Sequence, residues 1–214
     1  MNVLDLGRVE LLDTFGDDLT VVNAARVSYN KESTELTSKD EKLIKFLAEH
    51  NHVTPFFHPQ IRMRLKMPIF VAREWYRHQI GFARNEVSRR YVDYEPEMYC
   101  PELVRERDEK LKQGSKAGGV TDNALAVAMI KHANESAAEL YQELLDMGVA
   151  PEVARTVLPQ GMYTEFIETG SLAGYARLCK LRLDPSAQWE IRQYAEAVST
   201  LLREKFPVSW AALS

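Results

Sequence analysis

The stretch Gln60–Gln79, QIRMRLKMPIFVAREWYRHQ, holds a strand and a helix in direct succession. Ile61, Met63, Leu65 and Met67 alternate with Gln60, Arg62, Arg64 and Lys66, a period of two that gives a strand with one apolar and one basic face. Pro68 suits a first helical position, and IFVAREWYRHQ predicts a helix that stops before Gly81. Upstream, RVELLDTF (8–15) alternates as a second strand, Asp18 is placed to cap a helix through LTVVNAARVS, and Ser38 with Glu41 forms a capping-box pattern. That second helix is expected to end near His50 and Asn51.

Downstream, VRERDEKLKQGSKAGG (104–119) is charged, glycine-bearing and without a period, as expected of a mobile surface loop. Thr121 then caps a long helix with Gly148 as its stop, and Pro151 opens the short helix PEVARTVL, so the pair forms a helical hairpin. MYTEFIET (162–169) predicts a further strand, Ser171 caps LAGYARLCKLR, and Asp184 with Pro185 starts a final helix running to Pro207. Strands separated by helices of unequal length, without regular βα alternation, favour an α+β domain over a doubly wound sheet.

The 214 residues fit one domain, 1–214, and carry a formal net charge of −4. No apolar run reaches the ~20 residues of a membrane helix, and the acidic N-terminus is unlike a signal peptide, so a cytoplasmic protein is expected. Two cysteines, Cys100 and Cys179, form no CxxC pair, and neither context predicts a reactive thiolate. An acidic chain is also ill suited to coating nucleic acid.

Against that balance, RHQIGFARNEVSRRY (77–91) concentrates four arginines in fifteen residues. On the predicted helix Arg73 and Arg77 share a face, as do Glu74 and His78. Arg84, Asn85, Ser88, Arg89 and Arg90 follow; arginine forks, hydroxyls and amides together equip a site for phosphate. A lone Glu–His pair would be an ordinary solvated helix face, but the continuing arginines weigh against that. His50, His52 and His58 match no common zinc spacing and are read as polar groups of a pocket or loop, not a metal set. Arg155, among apolar neighbours, needs a partner if buried, either a salt bridge or an anionic ligand. Arg182 at a helix end could bind a ligand or merely satisfy the last carbonyls.

Taken together, NAARVSY, HNHVTPFFH, PIFVAREWYRH, NEVSRRY, PEVARTVLP and LRLDPSAQWEIRQYA resemble, in order and over nearly the whole chain, the flavin-dependent thymidylate synthases. The family's hallmark is Arg-His-Arg, seven residues, then Ser. Here Arg77-His78-Gln79 is followed by eight residues before Ser88, so the third basic residue is missing and the loop is one longer, with Arg84 inside it as a possible replacement.

The resemblance implies a single α+β domain with a mixed or antiparallel sheet flanked by helices, plus a helical lobe. It implies reductive methylation of dUMP to dTMP without an enzyme nucleophile. Methylenetetrahydrofolate is the one-carbon donor, and FAD reduced by NADPH is the hydride source. It places Glu74, Arg77, Glu86, Val87, Ser88, Arg89, Arg90, Arg155 and Arg182 at dUMP, with Arg182 as the catalytic group at the pyrimidine. Ser28, His52, Thr54, Arg77, His78, Gln79, Asn85, Glu86 and Arg177 fall at FAD. Ser186 stands where the family carries a flavin-contacting histidine, and Glu74 where it carries a glutamine. A homotetramer with sites shared between subunits is implied, with no metal, nucleic acid or membrane partner. The rival from another class is a non-enzymatic nucleotide- or RNA-binding protein using the same arginines, recognisable by steep salt dependence and no chromophore.

Overall fold

The computed structural model describes residues 1–109 and 114–214. Its elements are β1 (Asn2–Val3), β2 (Gly7–Phe15), α1 (Asp18–Arg26), α2 (Ser38–Glu49), β3 (Gln60–Pro68), α3 (Ile69–Trp75), β4 (Phe82–Glu86), β5 (Arg105–Arg107), β6 (Ser115–Gly119), α4 (Asn123–Asp146), α5 (Pro151–Ala154), β7 (Tyr163–Ser171), α6 (Leu172–Arg182), α7 (Trp189–Lys205) and α8 (Pro207–Leu213). Short 3-10 turns at Val27–Tyr29, Thr54–Phe57 and Arg155–Val157 join them. The main sheet runs β1-β2-β3-β7-β4 and every pair is antiparallel.

β3 lies at the centre of that sheet, and the alternation in 60–67 turns its apolar face into the core. Ile61, Met63, Leu65 and Met67 are all 0% exposed, each burial being worth ~2 kcal/mol. Across from them β7 turns Thr164, Phe166 and Glu168 inward. Tyr175, Leu178, Ile191, Tyr194 and Val198 of α6 and α7 complete the core with Val21, Val22, Ile44 and Trp210. Ser171 caps α6 as expected, its hydroxyl accepting from Gly174 N at 3.1 Å.

Two caps fall one residue earlier than their sequence signals. Asp17 accepts from Thr20 N at 2.9 Å while Thr20 Oγ1 accepts from Asp17 N at 3.0 Å, closing the box that starts α1. Asp18 is buried instead and accepts from Val208 N (2.9 Å) and Ser209 N (2.8 Å), so it caps α8 from a distance of 190 residues. Likewise Thr37 and Asp40, not Ser38 and Glu41, form the box of α2. The Thr37 hydroxyl, with Arg26 adding to it, holds the buried Asp40 carboxyl below its usual range.

Four other expectations change. The helix after β3 ends at Trp75, because the chain tightens through Arg77 N→Glu74 O and His78 N→Trp75 O and turns at Gly81, whose φ of +85° is one glycine adopts readily. The turn delivers FARNE as edge strand β4, too short and polar to stand out in sequence. Within 104–119 the expected loop contains the antiparallel ribbon β5–β6; residues 110–113 of that loop lie outside the described residues. The last helix starts at Trp189 and breaks at Phe206, after which Pro207 opens α8.

Candidate active site

The ends of α3 and α6 converge on an open cleft of about 640 Å³ whose walls include Glu74, Arg77, Arg105, Lys116, Arg182 and Trp189. Arg182, in the last turn of α6, is held there by three contacts. Its Nε donates to His78 Nε2 at 3.0 Å, Nη1 to Glu74 Oε2 at 3.3 Å and Nη2 to the Glu74 carbonyl at 3.2 Å. Because a guanidinium only donates, His78 must accept at Nε2 and carry its proton on Nδ1. Burial, then Arg182, Arg177 and Arg84, push the His78 pKa down to about 4, so the ring is neutral at pH 7. Arg77 is exposed and has no ion pair among the described residues, which leaves its charge available to an anion.

The next turn is clamped through its carbonyls. Arg177 Nη2 donates to Ile80 O at 2.7 Å and Arg84 Nη2 to His78 O at 2.6 Å. Gln79 lies exposed between them. Arg84 therefore does not offer its charge at the surface: its Nε pairs with Glu168, which is 0% exposed.

Beyond the turn, Asn85, Glu86, Val87 and Arg89 line a second cleft of about 410 Å³ with Arg64, Lys66 and Glu165. Thr164 Oγ1 donates to Glu86 Oε1 at 2.6 Å, and Val87 N donates to Glu165 O at 2.9 Å, extending β4 by one bond. Arg89 is buried; its side chain donates to the Tyr94 carbonyl and lies 4.2 Å from the Tyr94 ring centre, so it holds its own loop. Arg90 is exposed and pairs with Glu152 at 3.3 Å, and Arg155 donates to the Glu152 carbonyl at 3.4 Å. Ser88, Arg90 and Arg155 thus gather at one surface. Arg155 is exposed rather than buried, because only Ala154 of its helix is fully covered.

Ser28, His52 and Thr54 sit exposed at the two N-terminal 3-10 turns and the segment between α2 and β3. The Thr54–Phe57 turn reaches the Arg77–Gly81 segment through Phe57, whose ring lies 3.5 Å from where a Gly81 Cβ would stand. His50 and His52 have ring centres 6.3 Å apart, and among the described residues no group of three His, Cys, Asp or Glu side chains is placed to share an ion. Burial raises the Cys179 thiol, and Cys100 donates its backbone N–H to Asp5 at 3.1 Å.

Three groups escaped sequence reasoning. Arg105 Nη2 donates to both Glu190 carboxylate oxygens at 2.7 and 2.9 Å, and the guanidinium lies 5.2 Å from the Trp189 ring centre, fastening the β5–β6 ribbon to α7 beside the first cleft. No local pattern pairs residues 85 apart. Lys116, on the ribbon, and Arg192 join the cleft wall for the same reason. Glu168 did leave a signal: on a strand with Phe166 facing inward, parity puts an acid into the core, where it needs a cation.

The family profile described as "Thymidylate synthase complementing protein" matches residues 10–208. The chain is 43% identical over 98% of its length to a flavin-dependent thymidylate synthase of Thermus thermophilus, covering 76% of that protein. It is 44% identical, over 98% of itself and 92% of the relative, to a flavin-dependent thymidylate synthase of Thermosipho africanus. Among solved structures, a UMP/dUMP methylase, PolB, from Streptomyces cacaoi bound with 5-Br dUMP superposes with a TM-score of 0.87 at 32% identity, covering 99% of this chain and 96% of that one.

Proposed function

The chain belongs to the flavin-dependent thymidylate synthase family, and from that premise we propose that it methylates dUMP to dTMP with the residues described above. The observation that carries the assignment of the site is Arg182, held over an open cleft by Glu74 and a neutral His78, with Arg77, which has no ion pair among the described residues, beside it. Such a cleft fits anionic ligands carrying polar rings, which is the chemistry of both dUMP and a flavin dinucleotide.

FAD, when bound, supplies the hydride after reduction by NADPH, and methylenetetrahydrofolate supplies the carbon. The chain's part is orientation and charge. Arg182 donates toward the pyrimidine carbonyls and N3, where negative charge builds up during the reaction. His78 fixes Arg182 without adding a competing positive charge, since it is neutral. Ser88, Arg90, Arg155 and the Ser88 and Arg89 amides take the phosphate, while Val87, whose own amide donates to Glu165 O, and Glu86 set that turn against β7. Arg89 serves the same end indirectly, by holding the loop. Arg77, His78, Gln79, Asn85 and Arg177 with Ser28, His52 and Thr54 are the proposed flavin contacts. No thiol is called on, in keeping with a buried Cys179.

The active unit is a homotetramer. In support, α4 has 24 residues but buries only Tyr141, and exposes Leu125, Met129 and Leu140, with Met147 exposed just past its end. No helix is long and apolar enough to cross a membrane among the described residues, and we place the enzyme in the cytoplasm, where both cysteines stay free.

The test is an absorbance spectrum of purified protein, followed by NADPH oxidation and dTMP formation with and without dUMP. Uptake of flavin and dUMP-dependent turnover are expected; protein that neither contains nor takes up flavin would overturn the reading. UMP run in parallel decides whether the breadth in the solved relative's description extends to this chain.

A further inference from the structure

We propose that Arg84, on edge strand β4 within the lengthened segment between Gln79 and Ser88, is a positioning residue that holds the His78–Arg182 pair in its working geometry. The proposal rests on the reading of His78 and Arg182 as active-site groups. Arg84 and Glu168 are register partners in β4 and β7. Glu168 is 0% exposed and accepts from Trp75 Nε1 at 3.2 Å as well as from Arg84. A carboxylate so deep in a core needs a cation, and Arg84 supplies it from the sheet edge.

The fork of the guanidinium has a second arm, which reaches the His78 carbonyl at 2.6 Å. Ring faces fix the group between its acceptors: its central carbon lies 5.3 Å from the centre of Tyr76 and 4.8 Å from that of Phe82. The backbone of His78 is thereby tied to a buried anchor while its ring accepts from Arg182 at 3.0 Å, giving a chain of contacts Glu168–Arg84–His78–Arg182–Glu74. Arg177 clamps the same turn at Ile80 O from the other side. Gln79 is thus flanked by two arginines acting on its neighbours' carbonyls. In this chain the missing basic residue of the motif is offset by tethering the turn, not by restoring a surface charge.

Lysine separates the two tasks of Arg84. It keeps the charge that Glu168 needs but has one nitrogen and no fork, so it cannot hold Glu168 and His78 O together. For Arg84→Lys the expected result is a melting temperature within a few degrees of wild type, a dUMP KM within about threefold and a kcat lowered about tenfold or more, as a misplaced catalytic group produces. The second readout needs no flavin or substrate: the His78 titration followed by NMR in ligand-free protein. The groups facing that ring are Arg182 and Arg177 from α6, Arg84 from β4 and Glu74 from α3, with Glu168 of β7 behind Arg84.

Since lysine preserves charge, a His78 midpoint that rises from about 4 by a unit or more reports the ring leaving its buried place beside Arg182. Unchanged kcat with an unmoved titration would overturn the proposal, as would a kcat loss matched by a proportionate loss of thermal stability. Should Arg84→Lys fail to fold, the paired variant Arg84→Met with Glu168→Gln removes both charges. A tenfold kcat loss is again expected, and full kcat again overturns the idea. If wild type itself makes no dTMP, the functional reading falls, while the NMR titration still decides the positioning.

Discussion

His78 shows how one residue's surroundings set its chemistry. A histidine in water titrates near 6.5, and this one is held to about 4 by burial and three arginines. Between those values the unfolded chain binds a proton that the folded chain refuses, so stability rises with pH across that window and is lost as pH falls from 6.5 toward 4. About 3 kcal/mol is at stake. His78→Gln, which retains an acceptor for Arg182 and cannot titrate, is expected to flatten the pH dependence of denaturant unfolding between pH 6.5 and 4; an unchanged slope would show that His78 titrates normally. Arg182→Ala is expected to abolish dTMP formation with the far-ultraviolet circular dichroism of wild type, and near-normal turnover would remove Arg182 from its assigned role.

Among the elements, α8 and the β5–β6 ribbon depend on partners far away in sequence. Asp18 satisfies the first amides of α8, and Asp18→Ala removes both acceptors for about 1–2 kcal/mol, readable as a lowered chemical-denaturation midpoint. Arg105 neutralises Glu190, which is 4% exposed and also accepts from Tyr99 and Gln188. Removing Arg105 leaves that acid without its cation, and Arg105→Ala is expected to cost several kcal/mol in thermal or denaturant unfolding. A Tm matching wild type would mean the ribbon is not fastened in solution. The expectation of a mobile loop at 104–119 missed this ribbon because its strands are three and five residues long and polar, and its anchor lies 85 positions away.

For the whole molecule, the exposed apolar side of α4 sets the proposed assembly. Met129→Glu with Leu125→Glu is expected to reduce the light-scattering mass from about four chains to fewer and to remove activity, since sites built across subunits cannot survive separation. A tetramer that withstands both charges would place the interface elsewhere. What the sequence determined by itself is the part governed by near neighbours. The period of two made 60–67 a strand with one apolar face, Ser171 started α6, Gly148 ended α4, and ordered blocks from NAARVSY to LRLDPSAQWEIRQYA carried the resemblance to the family. Tertiary structure decided what depends on partners distant in the chain. It turned Arg84 inward to Glu168, exposed Arg155, moved Asp18 from one helix cap to another and set Arg182 against His78 and Glu74. The reason is that a side chain's spacing along the chain fixes which face it occupies, whereas its charge and hydrogen-bonding role depend on which groups the packed sheet and helices bring within a few ångströms.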